Sequence, residues 1–369
     1  MHVRYIYWFS YFRPELPSVR YRAVYPLELL RSRYGVDYAI AFPGYDGESV
    51  LHFLRMYFSA LLFRKKDSVI VVQKLYTRRI YALAMKFLFF CRRRHTQYDL
   101  DDAEYLVFPP QTIHYFLRRS SACSAGSEEL LRYIRHYNPK QFLLSSPVTA
   151  HGTRKTRRNE LFTVGWVGCY GGAHLECLEQ LVFPALERLP FPLKLVLLGV
   201  TEDEHERSVR KRFAGNKNLV LEIPRDIDWM NEAAVYARIT QFDAGLSPLQ
   251  DIEMHRSKSA FKLKQYFSCG VPVAGSALGE NGRFLSDNVN GFVCNSVSDY
   301  RQAILRLYAM SDVEYAAFSQ AALETVPQFS LESYCETLLA FYSGKEKKDV
   351  FAVDAIPPES RKLPAASVT

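Results

Sequence analysis

Cysteine is sparse in this 369-residue sequence and follows no pattern. The seven cysteines are an odd number, are scattered along the chain, and form neither a C-x-x-C pair nor the spacing of a zinc site. The sequence therefore indicates neither a disulfide framework nor a zinc-binding module. Unpaired, buried thiols are typical of a reducing compartment, so we expect a cytoplasmic protein.

Long apolar runs and internal repeats are also missing. No stretch approaches the run of about 18 apolar residues that a membrane-spanning helix needs. The N-terminal apolar run is short, is interrupted by Arg4 and lacks a small-residue cleavage site, so we expect a first strand and not a signal peptide. No repeat of solenoid length occurs. The 48% hydrophobic and 23% charged residues match a globular protein.

Negative charge is scarce in the first 100 residues. This segment has 17 Lys and Arg against seven Asp and Glu, a net charge of +10, whereas the rest of the chain carries −2. Such a one-sided field indicates an anionic surface or substrate, or simply a solvated basic face. Within it lies RRIYALAMKFLFFCRRR, basic at both ends and aromatic inside. That pattern fits a helix at an anionic membrane interface, or a helix whose apolar face packs on a sheet.

Strand-like apolar runs alternate with helical patterns through most of the chain. DSVIVVQK and LKLVLLG are examples of such runs. The β-α-β-α order predicts parallel sheets with helices on both faces, and the length favours two domains. We predict an α/β protein with two doubly wound, Rossmann-like domains facing a central cleft. The expected segments are an acceptor-side domain (1–150), a linker (151–160), a second domain that binds the ligand (161–325), a last helix packing back toward the first domain (326–345) and a disordered tail (346–369).

A glycine-rich turn in the second half is the first candidate for ligand binding. Ligands of open α/β sheets bind beyond the carboxyl ends of the strands, and residues 164–174, VGWVGCYGGAH, join a strand end to a helix start. Glycine lets the backbone approach a ligand, and N–H groups at a helix start attract phosphate. The spacing is not G-x-G-x-x-G, so the turn either binds another phosphate or holds no ligand. The candidates are Gly168, Gly171, Gly172 and His174.

Three lysines precede a buried strand in KSAFKLKQYFSCGVPVAGS, residues 258–276. We predict a helix that ends at Gly270, with Lys258 and Lys262 four residues apart on one face. Two ammonium groups suit a diphosphate, although a lysine pair can also merely solvate a surface helix. Further candidates around this helix are Arg256 before it, Gln265 on it, and Gly279 and Asn281 in the loop that follows the strand.

Residues 258–293, KSAFKLKQYFSCGVPVAGSALGENGRFLSDNVNGFV, resemble the donor-site segment of retaining GT-B glycosyltransferases of the family 4 type. In that family a K-x-x-x-K-L-x-x-[QEY] helix leads into A-x-G-x-P-V-V-A-S, then G-x-N, then G-x-N-G. The resemblance extends to FTVGWVGCYGGAHLECLEQLVFPAL, to QFDAGLSPL and to FSLESYCETLLAFY. It extends more loosely to QYDLDDAEYL in the first half.

The resemblance implies a UDP- or GDP-linked sugar as co-substrate, held mainly by the second domain. By position, Lys258 and Lys262 would hold the diphosphate beside the Gly168 turn, and Gln265 would face the ribose or the sugar. It implies no other cofactor and no metal, because the lysines would take the charge of the leaving group. The family's E-x7-E pair falls at Ser257 and Gln265, so both glutamates are missing. A weakened or inactive enzyme is the alternative.

Polar side chains at strand ends of the first domain are candidates for the acceptor side. YDLDDA places Asp99, Asp101 and Asp102 at one strand end. Such carboxylates could act as general bases, bind a metal through oxygen ligands, or cap helices and pair with arginines. The candidate catalytic residues are Asp101, Asp102 and Lys74. The acceptor-side candidates are Ser18, Arg20, Arg22 and Gln73, of which either arginine could meet a phosphate.

The sequence and the resemblance together predict a hexosyltransferase that acts with retention in cell-surface polysaccharide synthesis. Its acceptor would be a glycan or a lipid-linked glycan, met at the inner face of the membrane, and no nucleic acid would take part. Two alternatives stay open. One is a nucleotide-sugar 2-epimerase, which shares the two-domain layout, and the other is a non-catalytic binder of glycans or nucleotide sugars.

Overall fold

Two parallel sheets of six strands each form the core of the protein. The computed structural model describes residues 3–43, 46–74 and 79–344. The tail 346–369, predicted to be disordered, lies outside these residues.

The first sheet has the strand order β2-β1-β3-β4-β5-β6, with every pair parallel. Its strands are β1 (Tyr5–Ser10), β2 (Asp37–Ala41), β3 (Ser68–Gln73), β4 (Thr96–Leu100), β5 (Ala122–Ala125) and β6 (Gln141–Leu143). Its helices are α1 (Pro17–Val19), a π-helical turn (Arg20–Val24), α2 (Tyr25–Tyr34), α3 (Gly47–Leu62), α4 (Arg79–Arg92), α5 (Gln111–Arg119) and α6 (Glu128–Arg135), with 3₁₀ turns at Arg93–His95 and Glu104–Leu106.

The second sheet has the order β12-β11-β10-β7-β8-β9, again all parallel. Its strands are β7 (Phe162–Val167), β8 (Leu193–Leu198), β9 (Leu219–Glu222), β10 (Ala244–Ser247), β11 (Val273–Gly275) and β12 (Gly291–Val293). Its helices are α7 (Gly172–Cys177), a π-helical turn (Leu178–Val182), α8 (Phe183–Leu186), α9 (Asp203–Phe213), α10 (Glu232–Ile239), α11 (Glu253–Arg256), α12 (Phe261–Ser268), α13 (Asn281–Phe284), α14 (Val297–Ala309) and α15 (Asp312–Thr325). A 3₁₀ turn (Val326–Phe329) and α16 (Leu331–Ser343) end the described chain.

The central strands are buried along their whole length because helices cover both faces of each sheet. All six residues of β3, SVIVVQ, are buried, as parallel strands between two helical layers require. Helices α3 to α6 pack on one face of the first sheet, and α2 and α16 pack on the other. The same rule applies to β7, FTVGWV, in the second sheet, where all six residues are again buried.

The last helix returns to the first sheet. Within α16, Tyr334 and Cys335 are buried against α2, and the Tyr334 hydroxyl donates to the Arg22 carbonyl over 2.8 Å. The segment between the sheets follows the second one, since the His151 and Gly152 amides both donate to the Ser268 carbonyl. Each sheet is thereby tied to chain that lies far away in sequence.

Among residues 3–43, 46–74 and 79–344, no helix has both the length and the apolar character that crossing a bilayer requires.

Candidate functional site

The carboxyl ends of both sheets face a cavity of about 370 Å³ between the domains. Cavities of roughly 300–1,000 Å³ at such edges are the usual binding sites for small ligands in α/β folds. Of the residues singled out from the sequence, the cavity is lined by Ser18, Arg20, Lys74, Asp101, Asp102, Gly168, His174, Lys258, Lys262, Gln265 and Asn281. The lining thus combines residues that are far apart in sequence.

The glycine turn after β7 brings backbone close to the cavity. Gly168 has a φ of 147°, in the region that favours glycine, and a Cβ there would lie 2.6 Å from Cε of Lys262. Gly199 after β8 packs against the same turn, because a Cβ on it would lie 1.8 Å from the Gly168 carbonyl oxygen. A side chain at Gly168 would therefore displace Lys262 from its position beside the turn.

Lys262 is a cation without an anionic partner. Its Nζ lies 3.2 Å from Nε2 of His174 and 5.6 Å from the centre of the Trp166 ring, and none of the described carboxylates forms an ion pair with it. Burial, together with the nearby Lys258 charge, lowers the pKa of Lys262 to about 8. The Lys262 charge and burial lower the pKa of His174 to about 2, so this imidazole is neutral and accepts a hydrogen bond. A half-buried ammonium in this setting favours an anionic ligand.

Lys258 reaches the cavity from a different backbone position than predicted. Helix α12 begins at Phe261, because Ala260 takes a left-handed conformation with a φ of 57°. Lys258 therefore precedes the helix, and the prediction that it shares a helical face with Lys262 is wrong. Its Nζ lies 2.8 and 3.1 Å from the two carboxylate oxygens of Asp102 and so joins the two domains.

A buried cluster of acids surrounds Lys74 at the end of β3. Its ammonium lies 2.9 Å from Asp101 and 2.5 Å from Glu104. Burial opposes the charge of Lys74, but Asp101 and Glu104 raise its pKa well above the usual value. Burial raises the pKa of Glu104 to about 8 against the pull of Lys74. We infer that Lys74 stays charged and that Glu104 is the carboxyl of the cluster that holds a proton near neutral pH.

Lys74 is also held in a rare backbone conformation. Its φ is 55°, which is uncommon for a residue with a side chain and recurs at functional sites. Sequence reasoning missed Glu104, although it follows Asp102 by two residues, because only the fold turns it toward Lys74. Among residues 3–43, 46–74 and 79–344, no group of three or more His, Cys, Asp or Glu side chains is arranged so that it could hold a metal ion.

Two polar residues of the second domain complete the lining. Gln265 on α12 is 6% exposed and borders the cavity. The Asn281 amide donates to the Oγ and carbonyl oxygen of Ser247 at the end of β10. Lys264, in contrast, is not part of the lining, and its ammonium donates to the Ser145 hydroxyl over 2.6 Å and to the Ser146 carbonyl over 2.9 Å.

Arg22 was predicted to face the cleft, but it belongs to the core of the first domain. Its guanidinium is fully buried and forms a two-pronged ion pair with Asp99, at 2.5 and 2.9 Å. A third donor goes to the Leu144 carbonyl over 2.6 Å. With these donors engaged and no exposed surface, Arg22 cannot meet a phosphate, so this expectation is corrected.

The polar groups of Gln73 and Arg20 also form hydrogen bonds within the protein. Gln73 is buried, donates to the Ser18 carbonyl and accepts from the Trp8 indole. Arg20 borders the cavity, but its donors go to backbone carbonyls, including that of Trp229 in the other domain. The Ser18 hydroxyl, in contrast, is buried without a hydrogen-bond partner among the described atoms, and its residue lines the cavity.

The remaining candidates lie outside the cavity lining. Gly171 and Gly172 follow the Gly168 turn without bordering the cavity. Arg256 and Gly279 line a separate groove, where a Cβ on Gly279 would lie 2.5 Å from the Arg256 carbonyl oxygen. The Arg256 side chain pairs with Asp251 at the surface over 2.6 Å. The structure thus gives Gly279 a packing reason that involves no ligand.

Comparison with solved structures shows which fold these features belong to. The chain is similar to HepE (Alr3699) of Anabaena in complex with UDP-glucose, at 12% identity over 92% of this chain and 99% of HepE, with a TM-score of 0.63. A glycosyltransferase from Rickettsia africae matches at 12% identity over 95% and 100% of the two chains, with a TM-score of 0.64. Sucrose-phosphate synthase of Thermosynechococcus elongatus matches at 12% identity over 92% and 98%, with a TM-score of 0.63.

These likenesses establish the architecture and nothing finer. No protein-family model and no curated protein sequence matches the chain. The two parallel six-stranded sheets form the GT-B fold of the matched glycosyltransferase structures, and the predicted fold class is confirmed.

The cluster around Lys74 generates a stability prediction. Lys74→Met leaves Asp101 and Glu104 buried without their cation, and removing one partner of a buried pair costs about 3–5 kcal/mol of unfolding free energy. Glu104→Gln should cost about 1 kcal/mol or less, because the amide still accepts from Lys74 and the carboxyl it replaces already holds a proton. Urea unfolding near neutral pH measures both. Equal losses in the two variants would show that Glu104 is a full anion.

Proposed function

We propose that this protein is a retaining GT-B glycosyltransferase of the family 4 type. It transfers a hexosyl group from a UDP- or GDP-linked donor to a glycan or lipid-linked glycan in cell-surface polysaccharide synthesis. One observation carries the proposal. Lys258 and Lys262 both line the cavity between the domains, and Lys262 lies against the Gly168 turn.

The charge of the two lysines matches a diphosphate. Hydrogen bonds from ammonium groups to phosphate oxygens are roughly twice as strong as neutral ones. Among the described residues Lys262 hydrogen-bonds the neutral His174 and forms no ion pair, so a bound anion would supply its counter-charge. The missing side chain at Gly168 would let the diphosphate approach the backbone there.

Binding of the donor would rearrange the ion pair between the domains. Lys258 is neutralised by Asp102 over 2.8 Å. A diphosphate that takes Lys258 would leave Asp102 as a free carboxylate facing the acceptor side of the cavity. The buried ion pair between Asp101 and Lys74 would keep the acceptor side of the cavity in position. The acceptor hydroxyl would then meet a carboxylate able to accept its proton.

The lysines would also serve the chemical step. As the bond between the sugar and the diphosphate breaks, negative charge grows on the leaving group, and fixed cations stabilise it. Ser257 and Gln265 occupy the two positions where the family carries glutamates, so uncharged side chains would take the place of the two carboxylates here. Ser257 is buried and donates to the Glu253 carbonyl, whereas Gln265 borders the cavity and could hydrogen-bond the ribose or the sugar.

The donor nucleotide is proposed from the matched structures. HepE was solved with UDP-glucose, and the pneumococcal transferase GtfA with UDP and GlcNAc. The Trp229 side of the cavity offers an aromatic surface near Val167 and Gln265 that could stack on a base. We place UDP-sugars first and GDP-sugars second.

The compartment is proposed from the thiols and the charge. All seven cysteines are free, which fits a reducing environment. The net charge of +10 in the first 100 residues fits a lipid-linked acceptor at the inner, anionic face of the membrane.

Loss of either cavity lysine should weaken donor binding. Lys258→Ala and Lys262→Ala each remove a charge-assisted bond of roughly 1.5–3 kcal/mol, which is about 10- to 150-fold in affinity for UDP-glucose. Asp102→Asn should act in the opposite direction and tighten binding, because it removes the competing partner of Lys258. Lys194→Ala, at a surface lysine of the same domain, is the matched control for isothermal titration. Unchanged affinity in both cavity variants would remove the diphosphate assignment.

Transfer itself should retain the anomeric configuration and need no divalent metal. NMR spectra recorded early in the reaction give the anomeric configuration of the first-formed product. The product is either the glycoside made from UDP-glucose and an alkyl glycoside or the glucose released by water, and each reaction is run with and without EDTA. We expect the α-linked donor to give an α-linked product, at the same rate with EDTA as without it. A β-product, or activity that EDTA abolishes and magnesium restores, would contradict the mechanism.

A further inference from the structure

Helices α3 and α4 carry an unusual share of the large hydrophobic side chains that are exposed among the described residues. Nine of the 17 exposed large hydrophobic side chains lie on these two helices and the residue that ends α3, so the surface is concentrated there. We call the outward stripe the α3–α4 apolar face. Its members are Leu54, Phe58 and Leu62 on α3, and Leu83, Phe87 and Phe90 on α4.

The two stripes belong to neighbouring helices that are already packed. The Phe53 and Tyr81 rings lie 5.0 Å apart, and the Tyr57 hydroxyl donates to the Ala84 carbonyl over 2.9 Å. Both helices bury a separate inner stripe against the first sheet, including Met56 and Met85. The outer stripe is therefore not needed to hold the helices on the sheet. A surface helix normally presents polar residues there, so this outer stripe indicates a partner.

Basic side chains border this face. Arg55 on α3, Lys65 and Lys66 after it, and Arg93 and Arg94 after α4 are all exposed. Helix α3 contains one acidic residue, and α4 contains none. A second copy of the chain would bring like charges together across the face, whereas anionic lipid would satisfy both the charge and the apolar surface.

We propose that the α3–α4 apolar face docks the protein on an anionic membrane surface. Phe87, Phe90 and their neighbours enter the interfacial region, and the arginines and lysines contact lipid phosphates. The helices run antiparallel to their strands, so their first turns lie at the same edge of the sheet as the cavity. Phe87 and Phe90 lie near the C-terminal end of α4, and Arg93 and Arg94 follow it, so this part of the face lies at the opposite edge of the sheet from the cavity. The inference rests on the proposed function in one respect, namely that the acceptor is lipid-linked.

Flotation of the full chain with vesicles tests the docking face. We use phosphatidylglycerol–phosphatidylcholine vesicles and pure phosphatidylcholine vesicles, at low and high salt. The protein should float with the anionic vesicles at low salt and lose most of this binding at high salt. Phe87→Ser/Phe90→Ser should reduce the partition coefficient by about tenfold or more, since two buried aromatic side chains are lost.

Two further variants separate the contributions. Arg93→Gln/Arg94→Gln should weaken binding to anionic vesicles and reduce its salt dependence. Val220→Ser/Val313→Ser removes exposed apolar groups from the second domain and should change nothing. Wild-type protein that stays unbound on anionic vesicles at low salt would overturn the proposal. So would a dimer in sedimentation that the phenylalanine variant converts to a monomer without any effect on flotation.

The docking face and the proposed function can fail independently. UDP-glucose binding and transfer to a water-soluble alkyl glycoside are measured on the same variants. The phenylalanine variant should retain both, because its residues lie outside the cavity. Intact flotation without donor binding would refute the proposed function and leave the docking face, and the reverse result would refute only the docking face.

Discussion

The cleft depends on a charge balance that neither domain achieves alone. The first domain supplies Asp101, Asp102 and Glu104 around Lys74, and the second supplies Lys258, which pairs with Asp102 across the gap. Lys262, beside Lys258, has no described carboxylate of its own. The two domains therefore meet with one cation unsatisfied at the glycine turn. An anionic ligand would complete this balance and would compete for Lys258, which links ligand binding to the freedom of Asp102.

The parts of the site that the sequence predicts are those that follow from strand geometry. Parallel strands end at one edge of a sheet, so residues that follow β3, β4, β7 and β11 had to meet there. Lys74, Asp101, Gly168 and Asn281 were found in this way, and all border the cavity. The two doubly wound α/β domains followed from the alternation of buried apolar runs with helical patterns, and the GT-B type came from the resemblance of residues 258–293 to family 4 glycosyltransferases.

The errors have local physical causes. The left-handed Ala260 delays the start of α12, and no residue before it signals that break, so Lys258 was assigned to a helix. Arg22 lies in the π-helical turn of the segment that follows β1, but the buried Asp99 pairs with it inside the core. Glu104 escaped notice because its role depends on burial beside Lys74, which only the tertiary structure creates. Charged residues near strand ends thus divide between cavity and core according to contacts that the local sequence does not encode.

The central claim is that the cavity binds the diphosphate of a nucleotide sugar through Lys258 and Lys262. A ligand that binds the native state adds RT ln(1 + [L]/Kd) to the free energy of unfolding, about 2.7 kcal/mol at 100 times Kd, and so raises the midpoint of thermal unfolding. The most direct test is therefore thermal unfolding with a panel of UDP-, GDP- and ADP-linked sugars, using sulfate as the reference anion. The account predicts a clear rise with UDP-sugars that disappears in the Lys258→Ala/Lys262→Ala variant. Equal midpoints for every nucleotide sugar and sulfate would contradict it.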